Sequence, residues 1–197
     1  IVNPEDVVVP PYYPDSKVVR QDIAQHYNNI YYMDKRVGEI IAELEADGEA
    51  DKTIIIWTAD HGDGLPRSKR EVYDSGINVP LIIYWPERFR PINNQPGGQK
   101  DSLISFVDLG PSILSLAGLK APEYMQGSPR FGIQKAKERT HIYAAKDRFD
   151  EHFFYERAVR THQYKYIRNY LPGLPGGRHL IYRDNQNIMQ DLWKHLT

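Results

Sequence analysis

One long periodic stretch, followed at once by a continuous β-branched run, constrains the fold more than any other feature of the chain. Apolar residues recur at Val19, Ile23, Tyr27, Ile30, Met33, Val37, Ile40, Ile41 and Leu44, the three-and-four spacing of a single amphipathic helix. Asp15 or Ser16 is placed to cap its start, and Asp47-Gly48 to end it. Thr53-Ile54-Ile55-Ile56-Trp57-Thr58 follows after a short charged turn. Its apolar character is unbroken rather than alternating, which predicts a strand covered on both faces in a layered α/β sheet. Val79-Pro80-Leu81-Ile82-Ile83-Tyr84-Trp85 is a second apolar strand, reached across a polar, glycine-containing loop from Ala59 to Asn78. The 197 residues include no cysteine, so burial must hold this fold without disulfides, thiolate metal sites or a cysteine nucleophile.

The flanking sequence has a different texture. Pro4, Pro10, Pro11 and Pro14 make the first 14 residues an extended lead-in without a helix. Asn93 to Gly98 is turn-rich, Ser102 to Val107 predicts a short strand, and Asp108 to Ala117 a helix with Pro111 in its first turn and Gly118 at its end. Thr140 to Ala145, Arg157 to Arg160 and Tyr164 to Arg168 read as antiparallel strands, the last two joined by a turn at residues 161–163. Leu171 to Gly177 is a loop, and the stretch from Asp191 a helix without a C-terminal cap. The beginning, Ile1-Val2-Asn3-Pro4, has neither an initiator Met nor a signal-peptide pattern, so both ends read as interior sequence. A formal net charge of −1 gives no field for nucleic acid, and no apolar run is long enough to span a bilayer.

Asp60 and His61 follow the Ile-rich strand at its carboxyl end, where open α/β sheets place ligands and reactive groups. A carboxylate oxygen beside an imidazole nitrogen suits one divalent cation, with Gly62 and Gly64 easing a tight turn; a plain polar strand-end loop is the alternative. Lys69 lies further along the loop between Arg67 and Arg70. These cations form either an anion site or a solvated face. Asp147, Arg148, Asp150 and Glu151 follow a predicted strand and are candidates for contacting a sugar. His26 is a surface or packing residue, and the other histidines are too scattered to form a ligand set.

Thr58-Ala59-Asp60-His61-Gly62, then Lys69-x-x-x-Tyr73, then Gly76-Ile77-x-Val79-Pro80-Leu81-Ile82 resembles the second metal and sulfate-binding segment of the formylglycine-dependent sulfatases. The resemblance continues on both sides in the same order, with Tyr27-x-x-Ile30-x-x-x-Asp34-x-x-Val37-Gly38 upstream and Val107-Asp108-Leu109-x-Pro111-Ser112-Ile113-Leu114-x-Leu116-Ala117-Gly118 downstream. The compact spacing Asp60-His61-Gly62-x-x-x-Pro66-x-x-Lys69 and the later Arg160-x-x-x-Tyr164-x-x-Ile167-Arg168-Asn169 are similar to the heparan N-sulfatase (sulfamidase) branch.

That resemblance implies an α/β fold, part of an alkaline-phosphatase-like mixed-sheet sandwich. Residues 1–135 would be the C-terminal portion of the catalytic domain and residues 136–197 the start of a smaller antiparallel subdomain. It implies a sulfuric ester hydrolase acting on sulfate esters or N-sulfate groups of sulfated carbohydrate, and a periplasmic, secreted or lysosomal location. Asp60 and His61 would be two ligands of a divalent metal, calcium in most of the family, Lys69 would contact a sulfate oxygen, and Tyr73 would orient Lys69 from beneath the loop. Substrate binding would fall to Lys69, Arg148 and Glu151. The formylglycine precursor, Cys or Ser followed by x-Pro-Ser/Ala-x-Arg, has no match in this chain. The expectation is a piece of the enzyme that needs the missing N-terminal part and hydrolyses nothing alone. A metal-dependent phosphate or phosphonate ester hydrolase of the same superfamily, and a noncatalytic glycan-binding module, are the alternatives.

Overall fold

The computed structural model describes residues 1–91 and 95–196, so Asn93 and Asn94 of the expected turn-rich connection lie outside the described residues. The chain divides into two compact units, built from the described residues of Ile1–Asn94, Arg148–Phe154 and Pro172–Thr197 on one side and of Gln95–Asp147 and Tyr155–Leu171 on the other.

In the first unit, α1 spans Lys17–Ala46, as its periodicity predicts. Ser16 caps it by accepting the Val19 N–H at 3.2 Å, and the same hydroxyl donates to Asp191 at 2.5 Å. The helix ends through Asp47 and Gly48, the latter at φ +69°, where a glycine avoids the steric cost of a left-handed turn. The lead-in is extended apart from a 3-10 turn at Pro4–Asp6. It is tied to α1 by Arg20, which donates to the carbonyls of Glu5 and Val7.

Val19, Ile23 and Ala24 of α1 form the core with Val7, Tyr13 and Ile188. Ile188 belongs to α5, Asn187–Leu196, whose start is fixed by Asp22 accepting the Ile188 N–H at 2.8 Å. Each fully buried aliphatic side chain here contributes roughly 1.5–3 kcal/mol. A short helix, α4 (Ile181–Asp184), precedes α5.

β1 (Ile55–Thr58) and β2 (Leu81–Tyr84) pair antiparallel, with Ile55 opposite Tyr84 and Thr58 opposite Leu81. This differs from the expectation of a strand covered on both faces. β1 is half-buried, and Ile82 of β2 is 59% exposed. The far half of α1 is equally open. Tyr27, Ile30, Met33 and Ile40 lie exposed, and Tyr27, Ile30 and Met33 join Trp57 and Ile82 around an apolar groove of about 700 Å³. Two strands and one helix provide the apolar stripe, and Ile30, Ile40 and Ile82 on it stay exposed among the described residues.

In the second unit, α3 spans Leu109–Leu116 and ends at Gly118, φ +78°. The predicted strand at 102–107 is absent. A 3-10 turn at Phe106–Asp108 takes its last residues, because the Asp108 carboxylate reaches back to the Ser105 N–H at 3.0 Å and a capping box outweighs an isolated strand. Asp108 is fully buried and also binds the Ser128 N–H at 2.8 Å, Arg130 Nε at 3.2 Å and Arg139. Ser112 and Ser115 on α3 accept the backbone N–H groups of Arg130 and Gln134, fastening the loop after the helix.

β3 (Ile142–Phe149), β4 (His152–Arg160) and β5 (Lys165–Asn169) form a three-stranded sheet in that order. Its β4–β5 pairing is antiparallel, as predicted, with Arg157 opposite Arg168 and Val159 opposite Tyr166.

Candidate active site

The loop between β1 and β2 is closed by its own backbone. Thr58 Oγ1 donates to the Pro80 carbonyl at 2.8 Å, Gly62 N–H to Gly76 at 2.9 Å and Lys69 N–H to Asp63 at 3.0 Å. The approach at Gly62 requires glycine, since a Cβ there would stand 1.7 Å from the Ser75 carbonyl oxygen. Gly64 carries no such demand, because a Cβ on it meets nothing. A four-residue helix, α2 (Asp74–Ile77), supplies the packing partner.

The underside of the loop is anchored by buried groups. Ser68 is buried, the Tyr13 hydroxyl donates to the Pro66 carbonyl, and burial pushes the Tyr13 phenol well above its ordinary range. Glu71 pairs with Arg183 at 3.1 Å with both side chains nearly inaccessible, and Gln186 donates to the Gly64 carbonyl at 2.9 Å. His26 on α1 stands 3.0 Å from Asp63 and holds that carboxyl below its usual range. His26 therefore anchors the loop, a specific form of the packing role expected for it.

Asp60 and His61 occupy the mouth of the loop. The Asp60 side chain is 90% exposed, and its Oδ1 lies 3.5 Å from His61 Nε2. His61 Nδ1 stands 2.6 Å from the Gly62 carbonyl. A carbonyl only accepts, so Nδ1 carries the proton, and in the neutral ring Nε2 presents a lone pair toward Asp60. In that form the Asp60 carboxylate and Nε2 are both electron-pair donors. Among the described residues no group of three or more His, Cys, Asp or Glu side chains is arranged to hold a metal.

Lys69 is half-buried and bracketed by strain, since Arg67 and Arg70 adopt φ of +67° and +74°. Non-glycine residues in this region cost on the order of 1–3 kcal/mol each and gather at functional sites. Arg67 lies over the rings of Tyr73 (4.2 Å) and Tyr12 (4.9 Å), and Arg70 forms an ion pair with Asp150, itself at φ +48°. The ring beside Lys69 is Tyr182 of α4, with Nζ 5.0 Å from its centroid and Arg70 Cζ 4.2 Å from it. Tyr73, expected beneath Lys69, instead carries Arg67.

The remaining candidates are separated. Arg148 is exposed on β3, whereas Glu151 accepts the Ile181 N–H at 3.1 Å at the start of α4. Asp147 pairs with Arg157 at 2.8 Å. Sequence reasoning missed Tyr182 and the Glu71–Arg183 pair. No spacing could have found them, because more than 100 residues separate the partners along the chain.

The family model described as Sulfatase matches residues 6–119, and that of N-sulphoglucosamine sulphohydrolase, C-terminal, matches residues 66–173. An ulvan-active sulfatase of Formosa agariphila is 45% identical over 184 residues, 93% of this chain and 30% of that protein. Human N-sulphoglucosamine sulphohydrolase is 31% identical over 122 residues, covering 62% of this chain and 24% of that protein. The solved structure of BT4656 in complex with its substrate D-glucosamine-2-N,6-O-disulfate is similar in fold, with a TM-score of 0.64 at 22% identity, covering 91% of this chain and 39% of that one. The chain thus spans about a third or less of the curated relatives it matches. Over that span it belongs to the sulfatase family.

Proposed function

We propose that this chain carries one side of the active site of an enzyme that hydrolyses sulfate esters or N-sulfate groups on sulfated carbohydrate. The observation that supports it most is the facing pair of donors, Asp60 Oδ1 and His61 Nε2, at the carboxyl end of β1. Asp60 and His61 are two ligands of a divalent cation, calcium, and a bound cation would supply charge that offsets the developing negative charge on the sulfate oxygens. The Gly62 carbonyl beside Nδ1 orients the His61 ring so that Nε2 is the nitrogen turned toward Asp60 and the cation. Lys69 places a cation against a sulfate oxygen and the departing sugar oxygen, where fixed charge lowers the barrier without reorganisation. Tyr182 steers its ammonium, and the strained Arg67 and Arg70 fix the backbone on either side. Arg148 and Glu151 contact the sugar.

The precursor of formylglycine has no match among these residues, and the isolated chain is inactive. The remainder of the enzyme packs against the open apolar groove between α1 and the β1–β2 pair. In the full enzyme, residues 1–135 complete the catalytic domain and residues 136–197 begin the smaller subdomain.

The test is sulfate release from sulfated and N-sulfated oligosaccharides by the full-length enzyme, with and without calcium. Loss of release in Lys69→Ala with the fold intact supports the assignment. Release of phosphate from phosphate esters in preference to sulfate, or glycan binding without any release, would sink it in favour of an esterase or a noncatalytic module.

A further inference from the structure

The second unit carries a surface that the catalytic reading does not use. The two-residue period of a strand sets Tyr155, Arg157 and Val159 of β4 on one face, and the antiparallel register brings Arg168 and Tyr166 of β5 opposite Arg157 and Val159. Tyr170 follows β5 and donates its N–H to the Tyr155 carbonyl at 2.9 Å. Its ring stacks on that of Tyr155, with centroids 4.4 Å apart and planes 23° from parallel. Each end of the stack bears a guanidinium, Arg157 at 4.7 Å from the Tyr155 ring and Arg168 at 4.5 Å from the Tyr170 ring. Ala158, on the other face, is buried, while Tyr166 is 64% exposed.

Two arginines directly opposite each other across a strand pair repel, and one acid, Asp147, is paired with Arg157. The face is thus short of negative charge where its flat rings are most accessible. From Tyr166 to the Tyr155–Tyr170 pair it runs about 13 Å at the rise of a strand, longer than one sugar ring. Aliphatic groups are few, which disfavours an apolar protein partner, whereas the exposed Tyr166 offers a flat apolar face and the stacked pair a row of ring edges. Guanidinium groups match the forked oxygens of an oxyanion.

We infer that this exposed β4–β5 face is a binding platform for a sulfated polysaccharide chain, separate from the loop at Asp60, His61 and Lys69. A sugar ring lies on the open face of Tyr166 and against the edges of the Tyr155–Tyr170 pair, and sulfate groups bridge Arg157 and Arg168. The platform holds the polymer by several weak contacts and does no chemistry on it.

The probe is immobilised heparin, a densely sulfated polysaccharide, with fully desulfated heparin as the control, and the protein is the full chain. The unaltered chain is expected to bind heparin with a salt-dependent affinity. Arg157→Gln with Arg168→Gln should weaken it about tenfold, and Tyr166→Ala about threefold. Arg168→Gln alone, on an exposed side chain, guards against loss of the fold and should still weaken binding, with partial recovery in Arg168→Lys. Lys120→Gln, at an exposed lysine outside this face, should bind within twofold of the unaltered chain. The proposal is overturned if the unaltered chain does not bind heparin, if it binds desulfated heparin equally, if the arginine variants bind as well as the unaltered chain, or if Lys69→Ala alone abolishes binding.

Discussion

At the scale of single residues, the candidate site turns on a proton. His61 Nδ1 lies against a carbonyl, so the imidazole has one lone pair left, and that lone pair faces Asp60. In the full-length enzyme, His61→Ala and Asp60→Asn should each lower calcium affinity, and the calcium needed for half-maximal sulfate release should rise at least tenfold. Unchanged calcium dependence in both would remove them from the ligand set. Lys69→Ala should lower kcat roughly 10²-fold with a smaller effect on KM, the pattern of a charge that matters most as the leaving oxygen develops its own. Tyr182→Ala tests the ring beneath it. A positioning role predicts a smaller fall in kcat than Lys69→Ala, while Tyr182→Phe, which keeps the ring face, should restore most of the activity. The sequence points to Asp60, His61, Lys69, Arg148 and Glu151 for this site, and to Asp150 as a sugar contact, whereas Asp150 pairs with Arg70. Tyr182 and the Glu71–Arg183 pair join the loop to a remote segment and leave no mark in local spacing.

At the scale of elements, boundaries written in capping chemistry were legible and boundaries set by packing were not. Ser16 and Asp47-Gly48 begin and end α1 because a hydroxyl, a carboxylate and a left-handed glycine satisfy helix ends locally. Ser16→Ala removes both the Val19 cap and the bond to Asp191, and should cost about 1–2 kcal/mol by chemical denaturation of the chain. The loop between β1 and β2 is less forgiving. Gly62→Ala forces a methyl into the Ser75 carbonyl, so the loop must open. The expected result is a lower unfolding temperature together with lost calcium binding, checked by thermal denaturation and calorimetric titration. Gly64→Ala, in open space, should change neither. The missing strand at 102–107 shows the limit of local reading, since β-branched and apolar residues favour a strand but the buried Asp108 carboxylate, bonded back to the Ser105 N–H, favours a turn.

At the scale of the whole molecule, each unit has its own cohesion. The first buries Val19, Ile23 and Ile188 between α1 and α5. The second is organised around Asp108, where burial raises the carboxyl pKa but the N–H groups of Ser128 and Ser105, Arg139 and Arg130 outweigh it, leaving the pKa below its ordinary value. The sign follows from linkage. A carboxyl depressed in the folded state adds stability that is complete above its unfolded pKa, about 3.9, and is lost as pH falls below it toward the folded pKa. Asp108→Ala should destabilise the second unit by about 3–5 kcal/mol, because it strands two arginines. Asp108→Asn should flatten the fall of stability below about pH 4, measured by denaturation across a pH series. By itself the sequence determined the long helix, the two apolar strands, the antiparallel hairpin and the adjacency of Asp60 and His61, since periodicity, caps and neighbouring residues act over a few positions. Only the tertiary structure decided that half of α1 and the β1–β2 pair present an open apolar groove, that Tyr182 stands beside Lys69, and that tyrosines and arginines share one face of the sheet. The physical reason is that burial, ring stacking and remote ion pairs depend on which segments meet in space, and a linear pattern carries no record of that meeting.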